Sequence, residues 1–246
     1  HPLDLAGGGS SMKRFFLCLV VAVVIPISGC TGEGSGGAEN AQTSASSEWD
    51  PKSWKSDIEI SPKFTSEEDK LAFRKRWLER NTRTMGVVDP PDIALVEWMD
   101  SPHAADEKQA ECLRSKGFSA EVAPQGGIMY DPPIPESQQE AFGMALYECH
   151  SMYFLDPEFL ANLTEDQLRV QWDYWDEYYI PCLAAHGFTV DTSERPGREA
   201  YATTFYSDAE HRWWPDNKGE LSFRITPEVM KVCPETPPTT EFYGID

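Results

Sequence analysis

The sequence predicts a mainly α-helical fold with a few short strands (α+β), built from two related helix-strand-helix units that carry one disulfide each. Three observations predict it. Two capping boxes, Thr65-Ser66-Glu67-Glu68 and Thr164-Glu165-Asp166-Gln167, open stretches whose large apolar residues recur at helical spacing. The stretch Cys112-Leu113-Arg114-Ser115-Lys116-Gly117-Phe118 returns 70 residues later as Cys182-Leu183-Ala184-Ala185-His186-Gly187-Phe188. Four cysteines, Cys112, Cys149, Cys182 and Cys233, lie in the part expected to fold. Each repeat spells a helix stop, with Cys and Leu on the inward face of the last turn, Gly at the left-handed position and an aromatic folding back.

The first 48 residues are set apart from that fold. His1 to Ser11 precede Met12 and contain Gly7-Gly8-Gly9-Ser10-Ser11, so they read as a cloning remnant or as sequence upstream of the true start. Met12-Lys13-Arg14 then supplies a positive n-region, and Phe15 to Ile27 is an apolar run too short to span a bilayer as a helix. Ile27-Ser28-Gly29-Cys30 closes it. That ending resembles a bacterial lipobox, and the resemblance implies a signal peptide over 12–29, cleavage after Gly29 and lipid on the Cys30 sulfur. From Thr31 to Ser47 the residues are small and polar, too poor in apolar surface to offset ordering entropy. As a flexible tether, 30–48 has a typical reach of roughly 20 to 25 Å.

The globular part is expected over 49–246, with units at about 92–155 and 164–235. Glu67 to Thr84 reads as a helix burying Leu71, Trp77 and Leu78. Asp89-Pro90-Pro91 breaks the chain, and Asp92 to Met99 reads as a short apolar helix. Ser101-Pro102 starts the next helix, which runs to Lys116. Gly127 to Tyr130 is expected to pair as a strand with Phe118 to Val122. Glu136 to Phe154 is helical, with Phe142, Ala145, Leu146 and Cys149 on one stripe.

The second capping box opens the longest helix, whose buried face is marked by Leu168, Trp172, Trp175, Tyr179, Cys182 and Leu183. Pro181 falls inside it, where the missing N–H and the ring should kink the helix. A short β-prone piece, Thr189 to Thr192, follows the second helix stop. A helix from Gly197 to Tyr206, an aromatic loop through Trp213-Trp214-Pro215 and a helix from Thr226 to about Cys233 complete the order. The Pro/Thr-rich tail from Pro234 reads as extended.

Four cysteines allow three pairings. Glu140-Ala141-Phe142 echoes Glu199-Ala200-Tyr201 at corresponding places, and each unit then reaches a further cysteine. An internal duplication therefore pairs Cys112 with Cys149 and Cys182 with Cys233, each bridge contributing about 3 to 4 kcal/mol in the chain-entropy model. A metal site is disfavoured, because no two cysteines have the close spacing of a zinc ribbon.

The formal net charge is −20, and loss of residues 1–29 removes two cations (Lys13, Arg14) and one anion (Asp4), leaving −21. Such a surface repels phosphate backbones, so nucleic acid is excluded as a partner and membrane attachment falls to the N-terminal lipid. His103, His150, His186 and His211 form no zinc-hydrolase motif, and no Gly-x-Ser-x-Gly or phosphate-binding loop occurs in the folded part. His186, at the end of its helix, suits the negative end of the helix dipole. Nothing calls for a cofactor or a metal, and no catalytic residue is assigned.

Two constellations remain as candidate ligand-binding residues. Asp173 and Glu177 lie one turn apart on one helix, the spacing of a cation site or an acid–base pair, and equally that of the wet side of an amphipathic helix. Tyr206, Trp213 and Trp214 offer a flat stacking surface for a sugar or a cation, unless they are core. Finally, Gln171-Trp172-Asp173-Tyr174, Pro181-Cys182-Leu183, His186-Gly187-Phe188 and Pro196-Gly197-Arg198-Glu199-Ala200-Tyr201 together resemble a group of uncharacterised secreted actinobacterial lipoproteins. The resemblance implies a lipid-anchored protein on the extracytoplasmic face of the cell membrane. The expected function is a non-enzymatic binding or accessory lipoprotein of the envelope, with an envelope protein or small ligand as partner and a transport system as one setting. The alternative is an envelope hydrolase acting on cell-wall glycan through paired carboxylates.

Overall fold

The computed structural model describes residues 49–124 and 126–245. The leader, Cys30 and the tether lie outside the described residues. Helices dominate, joined by two small two-stranded sheets.

Helix α1 (Glu67–Asn81) starts where expected, with Ser66 of the capping box as its N-cap, and ends three residues short of Thr84. The Ser66 hydroxyl accepts the Asp69 amide at 3.1 Å, and three acidic residues in the first turn face the positive end of the helix dipole. Leu78 is buried and Trp77 partly so, but Leu71 is exposed and Arg74 takes the inward place. The Arg74 guanidinium reaches the Ser151 carbonyl at 2.6 Å and the Ile93 carbonyl at 2.7 Å. Ser151 lies in the last turn of the helix Gln139–Met152, where carbonyls lack helical partners, so a buried cation serves there better than a leucine.

Residues 92–99 are not helical, contrary to expectation. Ile93 and Leu95 alternate with exposed neighbours, and the stretch ends in strand β1 (Glu97–Met99). The stretch follows the two-residue period of a strand, which the partner segment Tyr153–Leu155 satisfies by pairing with it. Helix α2 (Pro102–Ser115) follows, capped by Ser101, with its first proline where no amide is needed. Strands β2 (Glu121–Val122) and β3 (Ile128–Met129) pair antiparallel, as expected. Helix α3 (Gln139–Met152) stops two residues short of its expected end, and β4 (Tyr153–Leu155) pairs in parallel with β1, setting Trp98 against Phe154.

Gly143 on α3 faces the loop after α1, and a Cβ there would lie 2.1 Å from the Met85 carbonyl oxygen. Gly143→Ala should therefore cost about 2 kcal/mol by overpacking, in spite of alanine's better helix propensity. Urea unfolding with an unchanged m-value would check this, and a neutral or stabilising result would contradict the close approach.

After the short helix α4 (Pro157–Leu160), α5 (Glu165–Tyr174) begins in a true capping box. The Thr164 hydroxyl accepts the Gln167 amide at 3.1 Å, and the Gln167 side chain accepts the Thr164 amide at 2.9 Å. The chain continues through a π-helical turn (Trp175–Tyr179) into α6 (Ile180–Ala185). In that turn the Ile180 amide bonds to the Trp175 carbonyl, one residue wider than an α-helical bond. The wider turn accommodates Pro181, which lacks the N–H needed for the next helical bond. Helices α7 (Arg198–Thr204) and α8 (Pro227–Val232) follow.

The two helix stops carry the same bonds. The Phe118 amide reaches the Leu113 carbonyl at 3.1 Å and the Gly117 amide reaches Arg114 at 3.0 Å; Phe188 reaches Leu183 at 2.9 Å and Gly187 reaches Ala184 at 3.0 Å. Both glycines have φ above +80°, where a side chain is strained. The disulfides are Cys112–Cys149 and Cys182–Cys233, the pairing expected from the repeat. The units differ downstream. Thr189–Thr192 forms no strand: among the described residues it has no strand partner of the kind that β3 gives β2, and Asp191 instead pairs with Lys218.

Each unit has its own core. Ala110, Leu113, Ala120 and Ala145 gather round the first disulfide, while Trp175, Tyr174, Leu183 and Trp213 anchor a larger aromatic core round the second. That second core also recruits both ends of the described chain, Trp54 and Phe242. The tail, expected to be extended, instead forms α9 (Thr239–Tyr243), ended by Gly244 at φ 69°; the Gln167 amide holds the Phe242 carbonyl at 2.8 Å. Burial of Phe242 supplies the energy that an isolated five-residue helix lacks.

Candidate functional site

The candidate site is the α5–π–α6 rod, whose two sides do different work. On one side Tyr174, Trp175, Tyr178 and Tyr179 are all buried, and the rings of Tyr174 and Tyr178 stack at 5.3 Å. Their polar tips hold one strand of backbone. The Tyr178 hydroxyl donates to the Val232 carbonyl at 2.6 Å, Tyr174 to Pro234 at 2.8 Å and the Trp175 indole to Glu235 at 2.9 Å. Three bonds to residues flanking Cys233 position that cysteine against Cys182 of α6. Burial drives the Tyr178 phenol up to about 12, so it stays a donor at physiological pH. Burial likewise raises the Glu235 carboxyl, with Asp216 adding to the effect.

The other side holds the carboxylates singled out from the sequence, and each is committed to a partner within the chain. Asp173 receives both nitrogens of an Arg198 fork, at 2.6 and 2.8 Å. Glu177 accepts the Trp54 indole N–H at 2.9 Å. Asp176 receives Arg195 at 2.7 Å. Asp173 and Glu177 are therefore brought to one face but not into a shared site: one fastens α7 to α5, the other fastens the N-terminal segment.

The aromatic surface expected of Tyr206, Trp213 and Trp214 is not assembled. Trp213 is buried, its ring 5.7 Å from that of Trp175, and Trp214 is half-buried against the same core. Tyr206 stands apart, half-exposed, with its hydroxyl accepting the Leu163 amide at 2.7 Å. A cation does stack there, and it belongs to this chain. The Arg195 guanidinium sits 3.9 Å from the centre of Trp172 and 5.3 Å from that of Trp213, while donating to the Trp172 carbonyl at 2.9 Å. Sequence reasoning missed Arg195 and Arg198. An Arg-Pro-Gly-Arg turn one helix away from three acids is the signal that points to them, since only arginine bonds a carboxylate with two nitrogens while lying flat on a ring.

One further cluster joins the rod to α8. His186, the last residue of the repeat before its glycine, places Nδ1 2.8 Å from the Cys182 carbonyl and 3.6 Å from the Cys233 sulfur. Among the described residues, Cys182, His186 and Cys233 form the group with three metal-ligating side chains drawn together, all within 4.8 Å. The spacing Cys-x-x-x-His, one helical turn, carried this signal in the sequence. Among the described residues no helix is long and apolar enough to cross a membrane. Compared with known protein families, curated proteins and solved structures, the chain finds no match.

Proposed function

We propose that this protein is a lipid-anchored binding or accessory lipoprotein of the cell envelope, acting on its extracytoplasmic face without catalysis of its own. The observation that carries the reading is Ile27-Ser28-Gly29-Cys30 at the end of a short apolar leader, followed by a tether of small residues. Two disulfides, on a chain of strongly acidic charge, accord with an oxidising compartment outside the cytoplasm. The hydrolase reading asks Asp173 and Glu177 to act together, and their engagement by Arg198 and Trp54 favours the binder instead. The partner is then an envelope protein or a small ligand, met at the end of the tether.

The test is expression in a bacterial envelope, with mass analysis of the N-terminal peptide and crosslinking of intact cells. The wild type should fractionate with membranes, begin at a lipid-modified Cys30 and carry crosslinked partners, and Cys30→Ala should shift it to the soluble fraction. A membrane-independent wild type, or one that keeps residues 12–29, overturns the reading.

A further inference from the structure

We propose that Cys182, Cys233 and His186 form a redox-gated site for a thiophilic d10 cation such as Zn2+, closed as a disulfide in the oxidised protein and open as two thiolates and an imidazole after reduction by a dithiol.

The geometry supports this. Zinc–sulfur bonds of about 2.3 Å and zinc–nitrogen bonds of about 2.0–2.1 Å set neighbouring sulfur and nitrogen ligands roughly 3.5 Å apart in a tetrahedral site. The His186 Nδ1 lies 3.6 Å from the Cys233 sulfur. The two cysteine Cα atoms are 5.7 Å apart, so once the bond is broken side-chain rotation alone can spread the sulfurs to a ligand separation. Both backbones are held from outside the bridge. Cys182 belongs to α6, and the carbonyls on either side of Cys233 are held by Tyr178 and Tyr174.

His186 is partly open to solvent while both sulfurs are buried, which gives a cation an approach along the imidazole. The fourth position is left to water or to a ligand from outside, the pattern of an open site.

The duplication supplies an internal control. The residue equivalent to His186 in the first repeat is Lys116, which turns away to pair with Glu148. Both residues end their helices with the same backbone bonds, to Cys112 and Leu113 in one case and Cys182 and Leu183 in the other. Helix termination thus requires no imidazole. The His at the second stop, against a sulfur, is what distinguishes one disulfide from the other.

The chemistry balances. A dithiol passes two electrons and two protons to the Cys182–Cys233 bond and becomes a disulfide, leaving two thiols. Binding of the cation releases both thiol protons to solvent. The imidazole must ligate through a nitrogen free of hydrogen, so binding through Nδ1 selects the tautomer with its proton on Nε2 and gives up the contact of Nδ1 with the Cys182 carbonyl. Thiol–disulfide exchange in the reverse direction regenerates the bridge and frees the cation.

The test uses the full chain, reduced without denaturant and titrated with Co2+, whose tetrahedral thiolate complexes are coloured, then with Zn2+ in competition. Reduced wild type should bind one equivalent with two thiolates, and the oxidised protein none. His186→Lys, which copies the first repeat, should bind at least about tenfold more weakly, the lower end of what even outer partners of metal ligands contribute. The pair Cys112→Ser and Cys149→Ser should leave binding intact. A second measurement covers loss of structure: Zn2+ should raise the thermal midpoint of the reduced wild type but not that of His186→Lys. Equal affinity in wild type and His186→Lys overturns the site, as does binding by the oxidised protein. Binding to an unfolded reduced chain, which would not depend on His186, also counts against it.

Discussion

Trp175→Ala should cost about 3–5 kcal/mol in unfolding free energy, the range for removing a fully buried aromatic. Trp175 is only 2% exposed and packs edge-on against both Tyr201 and Trp213, with ring centres 5.7 Å away in each case. Its indole also satisfies the Glu235 carbonyl, so the alanine leaves both a cavity and an unpaired buried acceptor. Trp175→Phe separates the two. It keeps most of the ring volume and should lose about 1–2 kcal/mol, the share of the hydrogen bond. Urea unfolding followed by circular dichroism measures both, since a fluorescence signal would change with the residue itself. A cost below about 1 kcal/mol for the alanine would remove Trp175 from the centre of the second core.

Cys182→Ala with Cys233→Ala should cost about 4 kcal/mol, and removal of the Cys112–Cys149 pair a few tenths less. The order follows from the lengths closed in the unfolded chain, 51 residues against 37. Because the effect acts on the unfolded ensemble, the m-value should rise in both variants as the chain expands further on unfolding. An unchanged stability for one pair would mean that its cysteines are not joined in solution. The second bridge has a further consequence for stability, since it ties the α5–π–α6 rod to the segment gripped by Tyr174, Trp175 and Tyr178. Its loss should therefore speed exchange of the backbone amides in α8 ahead of those in α2 and α3.

The errors of sequence reading share a cause. Leu71 reads as core because its spacing to Leu78 is helical, yet Arg74 occupies the inward place, where it meets the end of α3. Residues 92–99 contain enough apolar side chains for a helix, and the decision for strand came from Tyr153–Leu155, more than fifty residues away. The prolines of the tail suggest extended chain, although Pro238 before a short run and Gly244 after it also punctuate a helix, which α9 becomes once Phe242 has a core to enter. At the site, the one-turn spacing of Asp173 and Glu177 puts both on one face of the helix. Their partners were not legible, because Arg198 and Trp54 approach from 25 residues after Asp173 and 123 before Glu177.

What the sequence determined by itself was local: the capping of α5, the two glycine-ended helix stops, the β2–β3 pair and, through the repeat of those stops, which cysteines are joined. Each depends on hydrogen bonds or backbone angles within a few consecutive residues, so the residues that specify them stand side by side in the chain. Tertiary structure alone decided which carboxylates are neutralised, that Arg195 fills the aromatic face of Trp172 and Trp213, and that His186 lies against a sulfur. Those outcomes are competitions among distant surfaces for burial and pairing, and the strength of a side chain's claim depends on everything else that reaches the same place.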